Sequence, residues 1–213
     1  MATVTSDFAC WMGVRFDLPA DWAIVRHALD PKRGQLTLAD RRRQRVQLNW
    51  RSLESEPDLQ RMAEDYRARQ REQDAECDID LLRNVPGWRG TVRDADGTRR
   101  ITRAMTFSPP HNRLIEIVAV EDDATRESGW SLRPWLDSVD VVAAGEEARH
   151  WRAFGLDVQL PEDGAWRLRR ARVLPMDVTL VFEKPEASRH RIPAVVRVRR
   201  QAMASDWLGD NLE

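Results

Sequence analysis

Residues Gly155-Leu-Asp-Val-Gln-Leu-Pro161 match Gly13-Val-Arg-Phe-Asp-Leu-Pro19 position for position at a constant offset of 142 residues, and Val178-Thr-Leu180 matches Leu36-Thr-Leu38 in the same register. Self-similarity of this kind constrains the fold more than any local pattern does. It divides the 213 residues into one complete domain, 1–145, and the opening half of a second, truncated copy, 146–213. Within that copy Trp166 stands near the place of Trp22, Val195–Val198 takes the place of Val46–Trp50, and Ser205-Asp-Trp-Leu208 echoes the helix start at Glu56–Leu59. Half a sheet cannot bury its apolar face alone. The trailing segment therefore packs on the first domain, pairs with a second chain as a homodimer, or belongs to a longer protein.

Inside the first copy the hydrophobic period switches between two and 3.6. Met12, Val14, Phe16 and Leu18 alternate with polar residues up to Pro19, predicting a half-buried strand. Ala23–Ala28 reads as a further strand, and 35–39 with 45–50 as a hairpin with its polar tip at Asp40–Gln44. Leu59, Met62, Ala63 and Tyr66 then follow helical spacing behind a cap supplied by Ser55–Asp58, and residues 67–76 are polar all round. Asp94-Ala-Asp-Gly97 separates two strand-like runs, the composition of a tight hairpin turn. Leu114–Val120 is almost continuously apolar and predicts a central strand; a second helix is expected over 125–139, with Pro134 confined to its first turn.

A strand ending Phe-Asp-Leu-Pro19, Trp22, a hairpin, a helix starting near Pro57-Asp-Leu59, a strand meander and a last helix ending Leu136-Asp-Ser138 together resemble the Mog1/PsbP-like superfamily over 12–140, and partly over 152–212. The resemblance implies an α+β fold, a mostly antiparallel sheet sandwiched between helices. It also implies non-enzymatic work: members include a GTPase-interacting factor, photosystem extrinsic subunits and chaperones of type VI secretion effectors. It carries no functional residue onto this chain.

Chemistry is sparse. Thirty-four basic residues balance 35 acidic ones, so the whole chain has none of the cationic excess that nucleic-acid or membrane binding draws on, although a local patch stays open. Lys32 and Lys184 are the only lysines among those basic residues. The first ten residues lack a basic and an apolar region, no apolar run reaches membrane-spanning length, and Cys10 and Cys77 read as isolated thiols; a cytoplasmic location is expected. His27, His111, His150 and His190 have no ligand spacing, Ser128 and Ser131 no nucleophile context, and no glycine-rich loop could cradle a phosphate, so neither metal nor cofactor is expected.

Three binding or catalytic readings remain. The favoured one is a non-catalytic interaction, scaffold or chaperone-like module for a protein or peptide, whose surface could use the basic hairpin tip Arg41, Arg42, Arg43 and Arg45 and the tryptophans Trp88, Trp130 and Trp207. Trp11, Trp50, Trp135 and Trp166 are expected in a core. An alternative places a small-ligand or enzymatic site at Glu121 and Asp122, behind the central strand; the competing assignment for Glu121-Asp-Asp123 is a solvated turn leading into a helix. A second alternative joins Arg41–Arg45 with Arg15 and Arg26 into a nucleic-acid patch, without the interleaved aromatics that single strands need.

Overall fold

The computed structural model describes residues 7–95, 97–142, 149–161, 166–174, 176–184 and 193–201; His190, Trp207 and the expected helix start at 205–208 lie outside them. In chain order the strands are β1 (Asp7–Trp11), β2 (Val14–Leu18), β3 (Ala23–His27), β4 (Arg33–Ala39) and β5 (Gln44–Ser52). After helix α1 (Leu59–Gln73) come β6 (Ile79–Leu81), β7 (Arg89–Asp94), β8 (Arg100–Ser108) and β9 (Arg113–Glu121). Short helices α2 (Asp123–Glu127) and α3 (Leu132–Asp137) precede β10 (Asp140–Val141), β11 (His150–Ala153), β12 (Leu156–Gln159), β13 (Arg167–Leu174), β14 (Asp177–Lys184) and β15 (Ala194–Gln201). The chain forms two compact units: Met1–Phe8 with Arg15–Val141, and Ala9–Val14 with Val142–Glu213.

Unit 1 is built on a seven-stranded sheet in the order β3-β4-β5-β9-β8-β7-β6, its described ladders antiparallel. Strand alternation sorts its residues. Leu36, Leu38, Val46, Leu48, Trp50, Ile115, Ile117 and Ala119 occupy one face, all at most 2% exposed. The opposite face carries Gln35, Thr37, Gln47, Asn49, Arg103 and Glu116, with Met105, Leu114 and Phe107 at the end where α1 packs through Ala63, Leu59 and Met62. Helix α1 thus covers part of a face and leaves a polar remainder. Asp58, rather than Ser55, caps it by accepting the Arg61 amide at 2.9 Å.

The expected sandwich with a helical layer on each side does not form. Among the described residues 53% lie in strands and 17% in helices, spread over three sheets, so the fold is β-rich rather than the α/β/α sandwich that the Mog1/PsbP-like resemblance implied. The physical reason lies in 123–139. Gly129, at φ 78°, ends α2 after five residues. Pro134 fits only the first turn of a new helix of six. Two short helices replace a layer. Here α3 is fixed by Trp135 Nε1 donating to Asp17 O at 2.7 Å and by the Asp17 amide donating to Ser138 Oγ at 3.0 Å.

The strand expected to run unbroken from Met12 is also interrupted: Met12 and Gly13 both have positive φ, 50° and 75°, and so do Phe154 and Gly155, 56° and 71°, between β11 and β12. Residues with φ positive at both turn positions suit two-residue hairpins. In unit 2, β1 pairs with β11 and β11 with β12, and Trp11 meets the Trp151 and Phe154 rings edge-on, both at 5.4 Å. Strands β13, β14 and β15 form a separate antiparallel sheet. No helix among the described residues is long and apolar enough to cross a membrane.

Gly90 on β7 shows how closely the strands approach. A Cβ there would lie 1.8 Å from the Arg103 carbonyl oxygen, whereas one on Gly87 would meet nothing within 4 Å. Gly90→Ala is therefore expected to lower stability by about 1–3 kcal/mol through backbone displacement. Gly87→Ala, with only a positive φ to oppose it, should cost roughly 1 kcal/mol. Urea midpoints of the two variants, at unchanged m-value, check the ranking.

Candidate functional site

The basic hairpin tip divides into one interior arginine and three outer ones. A register shift between Leu38 and Ala39 tightens the β4–β5 turn, and Asp40 Oδ1 closes it by accepting the backbone amides of Arg42 at 2.6 Å and Arg43 at 2.8 Å. Arg45, 1% exposed, turns inward. Its Nε and Nη2 both reach Asp40 Oδ2 at 2.6 Å. Its Nη1 stands 2.9 Å from Asp122 Oδ2. Arg43 approaches the same Asp122 oxygen at 3.3 Å. Arg45 is thus no part of an interaction surface; only Arg41, Arg42 and Arg43 are exposed.

Asp122 is equally committed. Its carboxylate accepts the Thr125 amide at 3.0 Å and its own amide donates to Thr125 Oγ1 at 2.8 Å, a capping box that starts α2. Burial pushes the Asp122 carboxyl up, but the Arg45 guanidinium, the Thr125 amide and the Arg43 charge outweigh it and hold it below the usual aspartate range. Asp40 is shifted the same way: burial raises it, and the amides of Arg43 and Arg42 together with Arg45 lower it further. A proton-donating acid needs the reverse shift. Glu121 accepts the Leu132 amide at 3.3 Å, which leaves the carboxylates behind β9 holding helix starts.

The tryptophans proposed as surface anchors are not free either. Trp88 is 5% exposed. Trp130 is half-buried, its ring 4.9 Å from Trp22 and 6.4 Å from Trp135, and its Nε1 is enclosed without an acceptor. Arg15 lies over the Phe8 ring at 4.3 Å. No described contact brings Arg15 or Arg26 to the hairpin tip. Arg41 and Arg42 border a concavity of about 420 Å³, but Asp21, Asp40 and Glu127 line it too and cancel its positive charge.

A larger site, unmarked by any sequence motif, lies on the polar face of the unit 1 sheet. A cleft of about 690 Å³ opens where α1 stops covering that face. Its floor holds Gln35, Asn49, Glu116 and Met105, its helical wall Met62, Asp65, Tyr66 and Arg69, and its far rim Arg33 and Arg51. Arg103 pairs with Glu116 at 2.6 Å and lies 4.3 Å from the centre of the Tyr66 ring, joining floor to wall. Arg33 and Arg51 are direct partners across β4 and β5. Both are exposed, and among the described residues no carboxylate pairs with either or with Arg69. The hairpin register was the available signal: once Leu36 faces Leu48, Arg33 faces Arg51.

The cleft lining has no Ser, Thr, Cys or His, and Glu116 is held by Arg103. His111 Nδ1 contacts Ser108 Oγ at 2.8 Å, His150 Nε2 contacts Asp157 at 2.9 Å, and burial lowers the pKa of His27. Among the described residues no three His, Cys, Asp or Glu side chains are placed to hold a metal ion. No family model matches the chain, and no curated protein matches it by sequence.

Removing Arg45 takes away the cation that lies between two largely buried carboxylates, so Arg45→Met is expected to cost about 3–5 kcal/mol in denaturant unfolding. Because Asp40 and Asp122 titrate below their ordinary value when folded, their contribution is complete above about pH 4 and is lost as pH falls through the lowered values. Asp122→Asn should flatten that acid limb. A thermal-melt series from pH 6 to pH 2 on both proteins reads it.

Proposed function

We propose that unit 1 is a non-catalytic binding module that holds an acidic peptide segment in the cleft between α1 and the uncovered face of its sheet. The observation that carries this reading is the Arg33–Arg51 pair, two like charges directly opposite on adjacent strands with no described carboxylate to neutralise them. Such a pair weakens a sheet. A bound carboxylate would turn that repulsion into two charge-assisted hydrogen bonds, and Arg69 on the helical wall supplies a third cation. The cleft volume falls in the range of ligand sites. Tyr66 adds aromatic surface for the apolar parts of a peptide.

An enzymatic reading has less support, since Asp122 is an ion-paired helix cap and the cleft lining has no Ser, Thr, Cys or His. A nucleic-acid reading through Arg41–Arg45 loses Arg45 to the interior.

The test is fluorescence anisotropy with a fluorescein-labelled Glu-rich decapeptide and its Gln counterpart, on the full chain. The Glu peptide should bind in a salt-sensitive way and the Gln peptide should not. Arg51→Gln should weaken binding about tenfold or more, from the loss of a charged hydrogen bond of roughly 1.5–3 kcal/mol. The same substitution should raise stability by about 0.2–1 kcal/mol, because it relieves a cross-strand repulsion. Equal binding by Arg51→Gln, or by the Gln peptide, overturns the proposal.

A further inference from the structure

The β13-β14-β15 sheet of unit 2 presents two rows of cations on one face. Its register places Arg170, Val181 and Arg197 side by side, and Arg172, Thr179 and Arg199 in the next row on that face. The alternate rows, Leu168-Phe182-Val196 and Ala171-Leu180-Val198, point the other way; Leu180 and Phe182 are fully buried. The four arginines are all exposed, with Val181 and Thr179 half-buried between them. Arg199 makes a two-point contact with Asp177 at 2.8 and 3.0 Å, and Arg169 pairs with Glu183 at 3.7 Å. Among the described residues no carboxylate pairs with Arg170 or Arg197, while the charge of Arg172 acts on Asp177, whose carboxylate Arg199 holds.

From this array we infer that the outer face of the β13-β14-β15 sheet binds the phosphate backbone of double-stranded nucleic acid, without reading its sequence. Within each strand the cations are two residues apart, about 6.7 Å, and the two outer strands are about 9.6 Å apart across β14. A fixed two-dimensional array of guanidinium groups suits a polymer with regularly spaced phosphates, which each Arg can grip with two donors. No aromatic residue stands in either row, so the stacking platform that a single strand requires is missing. The chain's net charge of −1 does not oppose this, because the face carries Arg170, Arg172, Arg197 and Arg199 against two carboxylates, Asp177 and Glu183, that share it toward either end of β14. The inference is independent of the cleft in unit 1.

The experiment measures binding of the full chain to a fluorescein-labelled 24-base-pair DNA duplex as a function of salt. Parallel arms use a 24-nucleotide single strand and phosphatidylcholine vesicles containing phosphatidylserine. Duplex binding should weaken linearly in log–log form, with a slope reduced by about one for each arginine removed among Arg170→Gln, Arg172→Gln and Arg197→Gln. Thr179→Glu sets a carboxylate between Arg172 and Arg199. It should abolish duplex binding while leaving the melting temperature equal or higher, so a loss of binding cannot be ascribed to unfolding. Arg41→Gln/Arg42→Gln should change nothing. Duplex binding that survives Thr179→Glu and the triple Gln variant overturns the inference. So does a single strand or an anionic vesicle bound as tightly as the duplex.

Discussion

A buried arginine held between two aspartates fixes the frame on which the unit 1 sheet is built. Arg45 could not be desolvated alone, and Asp40 and Asp122 reach it from different parts of the chain, the hairpin tip and the end of the central strand. The contact couples the β4–β5 turn to the β9–α2 junction, the same three strands that run side by side through the sheet. A one-residue slip of β5 would carry Arg45 away from both carboxylates and turn Val46, Leu48 and Trp50 to the wrong face. Ionic and apolar constraints therefore select the same register.

That register has a consequence at the other end of the hairpin. With Leu36 opposite Leu48, the chain has no freedom to separate Arg33 from Arg51, and the repulsion between them is tolerated because the apolar pairs and the buried ion pair hold the strands together. One end of the hairpin has its charges matched; the other leaves them open to solvent beside a cleft. Sites that serve binding commonly depart from the arrangement stability alone would choose.

Much of the element layout was legible. The helical spacing of Leu59, Met62 and Ala63 located α1, the apolar run 114–120 located the central strand, and Asp-Gly97 located the β7–β8 connection, although the loop is longer than a two-residue turn, with Ala95 bonded back to Arg99. Failures arose where tertiary partners or strained backbone decide. Nothing in Arg41–Arg45 says which arginine turns inward; that depends on a register shift and on an aspartate 77 positions beyond Arg45. The Met12-Gly13 turn interrupts a perfect alternation, because Met in a left-handed conformation is not a sequence signal. The helical layer failed at Gly129 and Pro134, residues visible in advance whose combined effect, two helices of five and six residues, a single-helix reading underweights.

The candidate surfaces were less legible than the fold for a related reason. A run of arginines is conspicuous, yet density along the chain does not measure how much positive charge reaches solvent. Of Arg43, Arg45 and Arg103, two face carboxylates at 3 Å or less, while the described arginines with no carboxylate that close, Arg33, Arg51, Arg170, Arg172 and Arg197, lie on four different strands. Strand pairing brings them together, since residues far apart in the chain become neighbours across a ladder. An even overall balance of charge is compatible with strongly cationic faces when acids are committed to particular arginines. What decides the character of a surface is the register that determines which arginines are left without one.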